Sequence, residues 1–287
     1  MTGQQITAAA STQAAAATSK PSAISIILNE IIYRPILNLL VVLLMITGGN
    51  LGLSIILLTI IIRLLMLKPT LGANKYQKQM ADIQPKLKEI QQKYKDNPEK
   101  LSQETMKLMK EAWGGPLKGC LVMLLQIPVF FGLYYVIRDF SGYQGHSINP
   151  DQIYSFLRHF IGDPAIWIQN IQATFLWINL FEKGNLALTI AAWVLMFAQL
   201  QLTTLVSSPA QKTKQKLPTG EELPDMSSFM KVMNIFLVLM IAMFVYSTPA
   251  AIGLYILTST LFGLIQYIIQ YKALVTAKLK AILAKKK

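Results

Sequence analysis

The chain alternates between apolar stretches of close to twenty residues and polar, lysine-rich connections. A helix rises about 1.5 Å per residue, so about 20 apolar residues are needed to cross the ~30 Å hydrocarbon core of a bilayer. Stretches at 51–70, 117–138, 185–206, 229–247 and 250–271 meet that length. The pattern predicts an all-α integral membrane protein with five transmembrane helices. Residues 25–50 are also apolar, but Asn29, Glu30, Arg34 and Pro35 interrupt them and leave Ile36 to Thr47 as the longest run, with Asn38 its only polar residue. That run is too short to span, so it reads as an N-terminal interfacial helix, turned into the first span by Gly48-Gly49-Asn50.

The connections have patterns of their own. Within 71–116, Tyr76, Met80, Ile83, Leu87, Ile90 and Tyr94 follow the spacing of a helix seam, and Asn97-Pro98 marks the capped start of a second helix. A cytosolic helical hairpin follows, more than a join between two spans requires. The loop 139–184 carries Trp167, Phe175, Trp177 and Phe181, aromatics suited to a membrane interface. A short polar loop fills 207–228. Residues 1–24 are Ala-, Ser- and Thr-rich, too poor in apolar content to fold alone, and read as a disordered tail without a signal-peptide pattern.

Charge orients the spans. Of the lysines and arginines, nine lysines fall in 71–117, three in 207–228 and six in 271–287, whereas 139–184 has only Arg158 and Lys183. By the positive-inside rule the hairpin, the short loop and the basic tail 272–287 face the cytosol, with the N-terminus outside. The overall balance of 53% hydrophobic and 14% charged residues excludes an ordinary soluble enzyme. Cys120 is the only cysteine, so no internal disulfide forms, and His146 and His159 stand apart in a loop, which gives no metal site. No phosphate-binding motif is present, and no cofactor is expected.

One residue carries the chemistry. Arg63 lies inside the first span, where an ionisable group is costly and marks a functional site. It lies about 7.5 Å along the axis from Lys68, within reach of snorkelling to that interface. A structural ion pair lacks its other half, because no span contains Asp or Glu. Thr59 shares its helical face. Other spans add Gln126 aligned with Phe130 and Tyr134, Gln199 with Thr203, Asn234 alone, and Tyr255, Ser259 and Gln266 on one face. Singly, such residues serve as interhelical glue. Together with an unpaired arginine they outline a positively charged, hydrated cleft.

These residues stand in segments that closely resemble the YidC/Oxa/Alb family of membrane protein insertases. The segments are LGLSIILLTIIIRLLMLKPT, IQPKLKEIQQKYKDNPEKLSQETMKLMKE, GGPLKGCLVMLLQIPVFFGLYYVIRD, FLWINL and TPAAIGLYILTSTLFGLIQYIIQYK, in the family's order, across about residues 31–275. The resemblance implies a cleft open to cytosol and lipid but closed outside, in the plasma membrane of a bacterium. There the arginine matching Arg63 would draw in the polar or acidic flank of a nascent membrane protein, past Thr59, Phe130 and Tyr255. It also implies that the hairpin recruits the ribosome, the signal recognition particle receptor or the Sec translocon. The acid-free tail KLKAILAKKK suits ribosomal RNA or anionic membrane lipids alike. Departures are Gln199-Leu200 where relatives carry paired glutamines, a missing proline in the fourth span, and Ala251 for a glycine; the large outer domain of some relatives is absent too.

Two other classes fit the pattern less well. A solute or ion transporter would also place polar groups at mid-membrane, but broken helices, inverted repeats and intramembrane carboxylates are not evident. A chaperone acting only on chains delivered by the translocon differs from an insertase in partner dependence alone. An enzyme lacks its usual groupings: no acid pair, Ser/His/Asp set or metal cluster lies near the membrane plane.

Overall fold

A computed structural model describes residues 26, 28–95, 97–111, 116–142, 148–162, 170–206 and 226–277. The expected N-terminal tail, most of the 207–228 loop, Trp167, His146 and the end of the basic tail lie outside these residues, as do the side chains of Tyr76, Met80, Cys120 and Asn234. The described chain is mostly helical, with α1 at Arg34–Ile46, α2 at Leu51–Leu65, α3 at Leu67–Lys93, α4 at Pro98–Glu111 and α5 at Pro116–Phe140. After α5 come a short α6 at Ser155–Ile161, then α7 at Leu186–Val206, α8 at Met226–Ser247 and α9 at Ala250–Gln270. Helix α9 is the hub, packing on α2, α7, α8 and α5.

Local chemistry sets several boundaries. Asn50 caps α2 by accepting from the Leu53 N–H at 3.0 Å, and Asn185 caps α7 through the Leu188 N–H at 2.9 Å. Asn97 accepts from the Lys100 N–H at 3.1 Å, so the second hairpin helix starts where the Asn-Pro pair predicts. The first span is shorter than 51–70: α2 stops at Leu65, and the chain turns by 60° into α3. Pro69 explains the break, since its ring would clash with the Leu65 carbonyl four residues earlier. By length and composition Asn29–Ile46, α7 and α9 are each able to cross a membrane, and α2 with the start of α3 makes a fourth, bent candidate. The helix before α2 is thus longer than the run Ile36 to Thr47: a turn of π-helix at Asn29–Tyr33 continues into α1 through its polar residues. Pairing of Arg34 with Glu30 at 2.9 Å makes that continuation tolerable.

Burial is lopsided along the bundle. Fully enclosed side chains include Leu37, Leu40 and Leu44 of α1, Leu51, Ile55 and Leu58 of α2, Leu133 and Ile137 of α5, Ile252 of α9, and Ile153 and Leu180 of the loop. All of these in the long helices lie toward the end that carries the loop between α5 and α7. The last turns of α2, from Ile60 on, are half-buried or exposed, and at that end α7 and α9 close only a small second cluster around Val206, Tyr267 and Tyr271.

That loop departs from the all-helix expectation. It contains a two-stranded antiparallel hairpin, β1 at Thr174–Phe175 and β2 at Ile178–Asn179, besides α6. Phe175 and Phe181 pack on the core, while Trp177 is exposed. An upstream stretch of the loop is held by α1: the buried Asn38 amide donates to the carbonyls of Gln152 at 2.9 Å and Arg34 at 2.7 Å and accepts from the Tyr154 N–H at 2.7 Å.

Candidate functional site

Arg63 sits in the last turn of α2, where the tightly packed half gives way to the looser one. Its Nε donates to Ser259 Oγ of α9 at 2.8 Å, and its Nη2 donates to the same oxygen. Both donors thus share one neutral acceptor. None of the ion pairs among the described residues includes Arg63; they join Arg34 to Glu30, Lys107 to Glu104, Arg138 to Asp139 and Arg158 to Asp151.

The neighbouring polar groups form a chain across three helices. The Tyr255 hydroxyl, one turn before Ser259 on α9, interacts with Ser259 and accepts from Gln126 Nε2 of α5 at 2.6 Å. Phe130, one turn along α5, sets its ring 6.3 Å from that of Tyr255 and 5.5 Å from that of Phe244 on α8. Gln199 of α7 approaches from the other side. A Cβ placed on Gly263 would lie 3.4 Å from Gln199 Nε2 and 3.9 Å from Arg63 Nη1, so this glycine lets an amide and a guanidinium converge on α9. The sequence reading missed Gly263 and Phe244, although a glycine in a membrane-length helix is a signal for close helix approach.

Two expected site residues sit elsewhere. Thr59 is fully buried and its hydroxyl donates to the Ile55 carbonyl at 2.6 Å, so it belongs to the closed half rather than to a wet face. Gln266 donates to Thr70 Oγ1 of α3 at 2.9 Å, about 10 Å along α9 from Ser259. There it is joined by Asn74, which donates to Gln270 Oε1 at 3.0 Å, by Gln270 donating to the Leu71 carbonyl at 3.1 Å, and by Lys78 over the Tyr271 ring at 5.6 Å. In the pairs Arg63–Ser259, Thr70–Gln266 and Asn74–Gln270 the partners stand at a constant offset of 196 residues. A constant difference means that α9 runs parallel to α2 and on along the first turns of α3. The ladder bridges the bend at Met66.

This arrangement can offer a fixed positive charge to an anionic group from the looser side, with hydroxyl and amide dipoles around it. Among the described residues no cluster of His, Cys, Asp or Glu is suited to hold a metal ion.

The model of the 60Kd inner membrane protein family matches residues 42–277, most of the chain. The chain belongs to this family. It is 31% identical over 233 residues to the membrane protein insertase MisCB of Bacillus subtilis, covering 77% of this chain and 71% of that one. It is 30% identical over 218 residues to the membrane protein insertase YidC of Fusobacterium nucleatum, covering 76% and 84%. With MisCA of Bacillus subtilis, also a membrane protein insertase, identity is 31% over 243 residues, 83% and 77% of the two chains. The resemblance drawn from the segments is therefore correct, and the chain is a membrane protein of an inner-membrane family.

Proposed function

We propose that this protein inserts other membrane proteins into the bacterial plasma membrane and helps them fold, with Arg63 as the attracting charge of a hydrated cleft. The observation that carries the reading is the engagement of Arg63 by the neutral Ser259 hydroxyl, with no carboxylate partner among the described residues. A substrate carboxylate about 4 Å away would gain about 4 kcal/mol at an effective dielectric near 20, against about 1 kcal/mol in water. Carrying an acidic residue to the middle of a bilayer costs about 3 kcal/mol on insertion scales. The attraction therefore offsets the penalty of moving a polar flank inward. The substrate's apolar segment then enters lipid by itself, at about 0.8 kcal/mol per buried methylene, and no nucleotide is consumed.

Topology enters as part of the same proposal. Five spans, counting α5 and α8, would put α2 and α9 in the same direction, and their parallel ladder agrees with that parity. The tight half of the bundle would then face outward and the loose half the cytosol, as a cleft closed outside and open inside requires. Residues 25–50 would lie along the outer surface, since α1 is bonded at Asn38 to the loop and its end leads back to the Gln172 backbone. Hairpin α3–α4 and the basic tail would receive the ribosome, the signal recognition particle receptor or the Sec translocon. Gln126, Phe130, Gln199, Tyr255 and Ser259 would line the substrate path with Asn234; Thr59 and Gln266 would bound it.

The test is reconstitution of the purified protein in liposomes with a single-span substrate bearing an acidic tail. Wild type is expected to insert it, Arg63→Lys to retain activity and Arg63→Ala to lose it. Wild type no better than protein-free liposomes would sink autonomous insertion. Full activity of the alanine variant would sink the role of the charge.

A further inference from the structure

The hairpin β1–β2 turns through two residues, Leu176 and Trp177. Leu176 has φ of 55°, the left-handed region in which a residue with a Cβ is strained by about 1–2 kcal/mol. Two-residue hairpin turns usually use asparagine or glycine there. Retained strain of this kind points to a role for the side chain that bears it. The flanking residues are used inside. The Phe175 ring fills the space beside Gly52 of α2, and Ile178 is buried. The tip is the reverse, with Leu176 71% and Trp177 76% exposed.

The hairpin's base is fixed to the starts of two helices. The Leu51 N–H of α2 donates to the Gln172 carbonyl at 3.2 Å, and the Ala250 and Ala251 N–H groups of α9 donate to the carbonyls of Glu182 and Leu180, both at 2.8 Å. These helix starts lie at the end of the bundle that carries the loop. Leu53 of α2 and Leu186 of α7 are exposed at that same level, so apolar surface continues onto the helices below. From Asn170 to Phe181 the loop has no charged residue.

We infer that the Leu176–Trp177 tip is an interfacial anchor that inserts into the headgroup–acyl boundary of the leaflet on the loop side, its partner being phospholipid. Tryptophan suits this position, with an apolar ring and one N–H donor for the wet side. A protein partner fits less well, because the hairpin's base is bonded to the starts of α2 and α9 and the apolar surface of the tip runs on to those helices. The anchor would set the depth of α2, and with it Arg63, about 18 Å further along the helix axis. The inference does not depend on what the protein inserts.

The test uses the full chain with Trp113, Trp167 and Trp193 replaced by phenylalanine, which leaves Trp177 as the only tryptophan. It is reconstituted in phosphatidylethanolamine–phosphatidylglycerol vesicles containing phosphatidylcholine brominated either high or low on its acyl chains, in both leaflets. The expected result is stronger quenching by the shallow bromines than by the deep ones, with weak quenching by acrylamide. Emission indifferent to both bromines, whether Trp177 faces water or protein, overturns the inference; so does stronger deep quenching. If the triple substitution does not fold, a nitroxide at Trp177→Cys in a Cys120→Ser chain reads the same depth. Collisions with oxygen then exceed those with a water-soluble nickel chelate for an inserted tip, and the reverse ratio overturns it.

Discussion

Gln126 Nε2 of α5 donates to the Tyr255 hydroxyl of α9 at 2.6 Å, and the same hydroxyl interacts with Ser259, the acceptor of Arg63. A glutamine on the second long helix thereby acts on the arginine of the first through two side chains of the last. Interhelical hydrogen bonds in membranes are worth about 0.6 kcal/mol and rarely more than about 1.7 kcal/mol. Tyr255→Phe is therefore expected to lower stability in detergent by about 1 kcal/mol, as is Gln126→Leu. The double variant should cost less than the sum of the two, which a double-mutant cycle on thermal unfolding would measure.

Ser259→Ala removes the shared acceptor and leaves the guanidinium without its neutral partner. Arg63 would then be freer to meet an incoming carboxylate, at a stability cost of about 1–3 kcal/mol for an unsatisfied donor. Insertion of an acidic-tailed substrate should persist in this variant while unfolding shifts to lower temperature. Loss of insertion at normal stability would show that the serine itself guides the substrate.

Gly52 leaves no room for a side chain. A Cβ there would overlap the Phe175 ring, so Gly52→Ala must push the loop hairpin off α2. Overpacking of this kind costs about 1–3 kcal/mol. Thermal unfolding should show that loss, and Phe175→Ala in the same chain should recover part of it.

Asn38 is the buried polar residue with the most demanding surroundings. Replacing it by leucine strands the Tyr154 N–H and leaves the Gln152 carbonyl, 114 residues away in the chain, with only the longer contact from Arg34 Nε at 3.3 Å. A loss of about 2 kcal/mol or more is expected. Limited proteolysis should then cut first within 148–162, and a wild-type digestion pattern there would disprove the clamp.

Asn74 and Gln270 bond at 3.0 Å across the foot of the bend. With both changed to cysteine and Cys120 changed to serine, a short bifunctional thiol reagent should join them in native membranes. Paired cysteines at Lys107 and Gln270 serve as a negative control.

The sequence revealed what depends on neighbours a few residues apart. The membrane-length runs, the Asn97-Pro98 start and the Gly48-Gly49-Asn50 turn all rest on local pattern, though the capping roles of Asn50 and Asn185 went unread. Arg63 stood out because the cost of a charge in lipid is independent of fold. Ser259 was named on its helix face, but its role as the acceptor of Arg63 was not, since it is one of several hydroxyls and lies 196 residues away. Gln266 shared a face with Ser259 in the sequence, yet α9 is long enough for that face to meet α2 at one level and α3 at another. Thr59 shared a face with Arg63 but lies in the tight half, where its hydroxyl has only its own helix to bond. Helical periodicity gives direction around an axis, not the surroundings at each height along it. The hairpin β1–β2 was hidden for a related reason: strands of two residues leave no period to read.

The uneven burial along the bundle has a thermodynamic consequence. Cooperative opening follows local packing, so the enclosed half around Leu37, Ile55 and Leu133 should exchange its amide hydrogens only on global unfolding, whereas the Arg63 half opens at lower free energy. The molecule is in effect two phases in one chain, a solid-like collar and a more compliant half around Arg63. On the proposed function, deforming that half around a passing polypeptide would leave the collar intact.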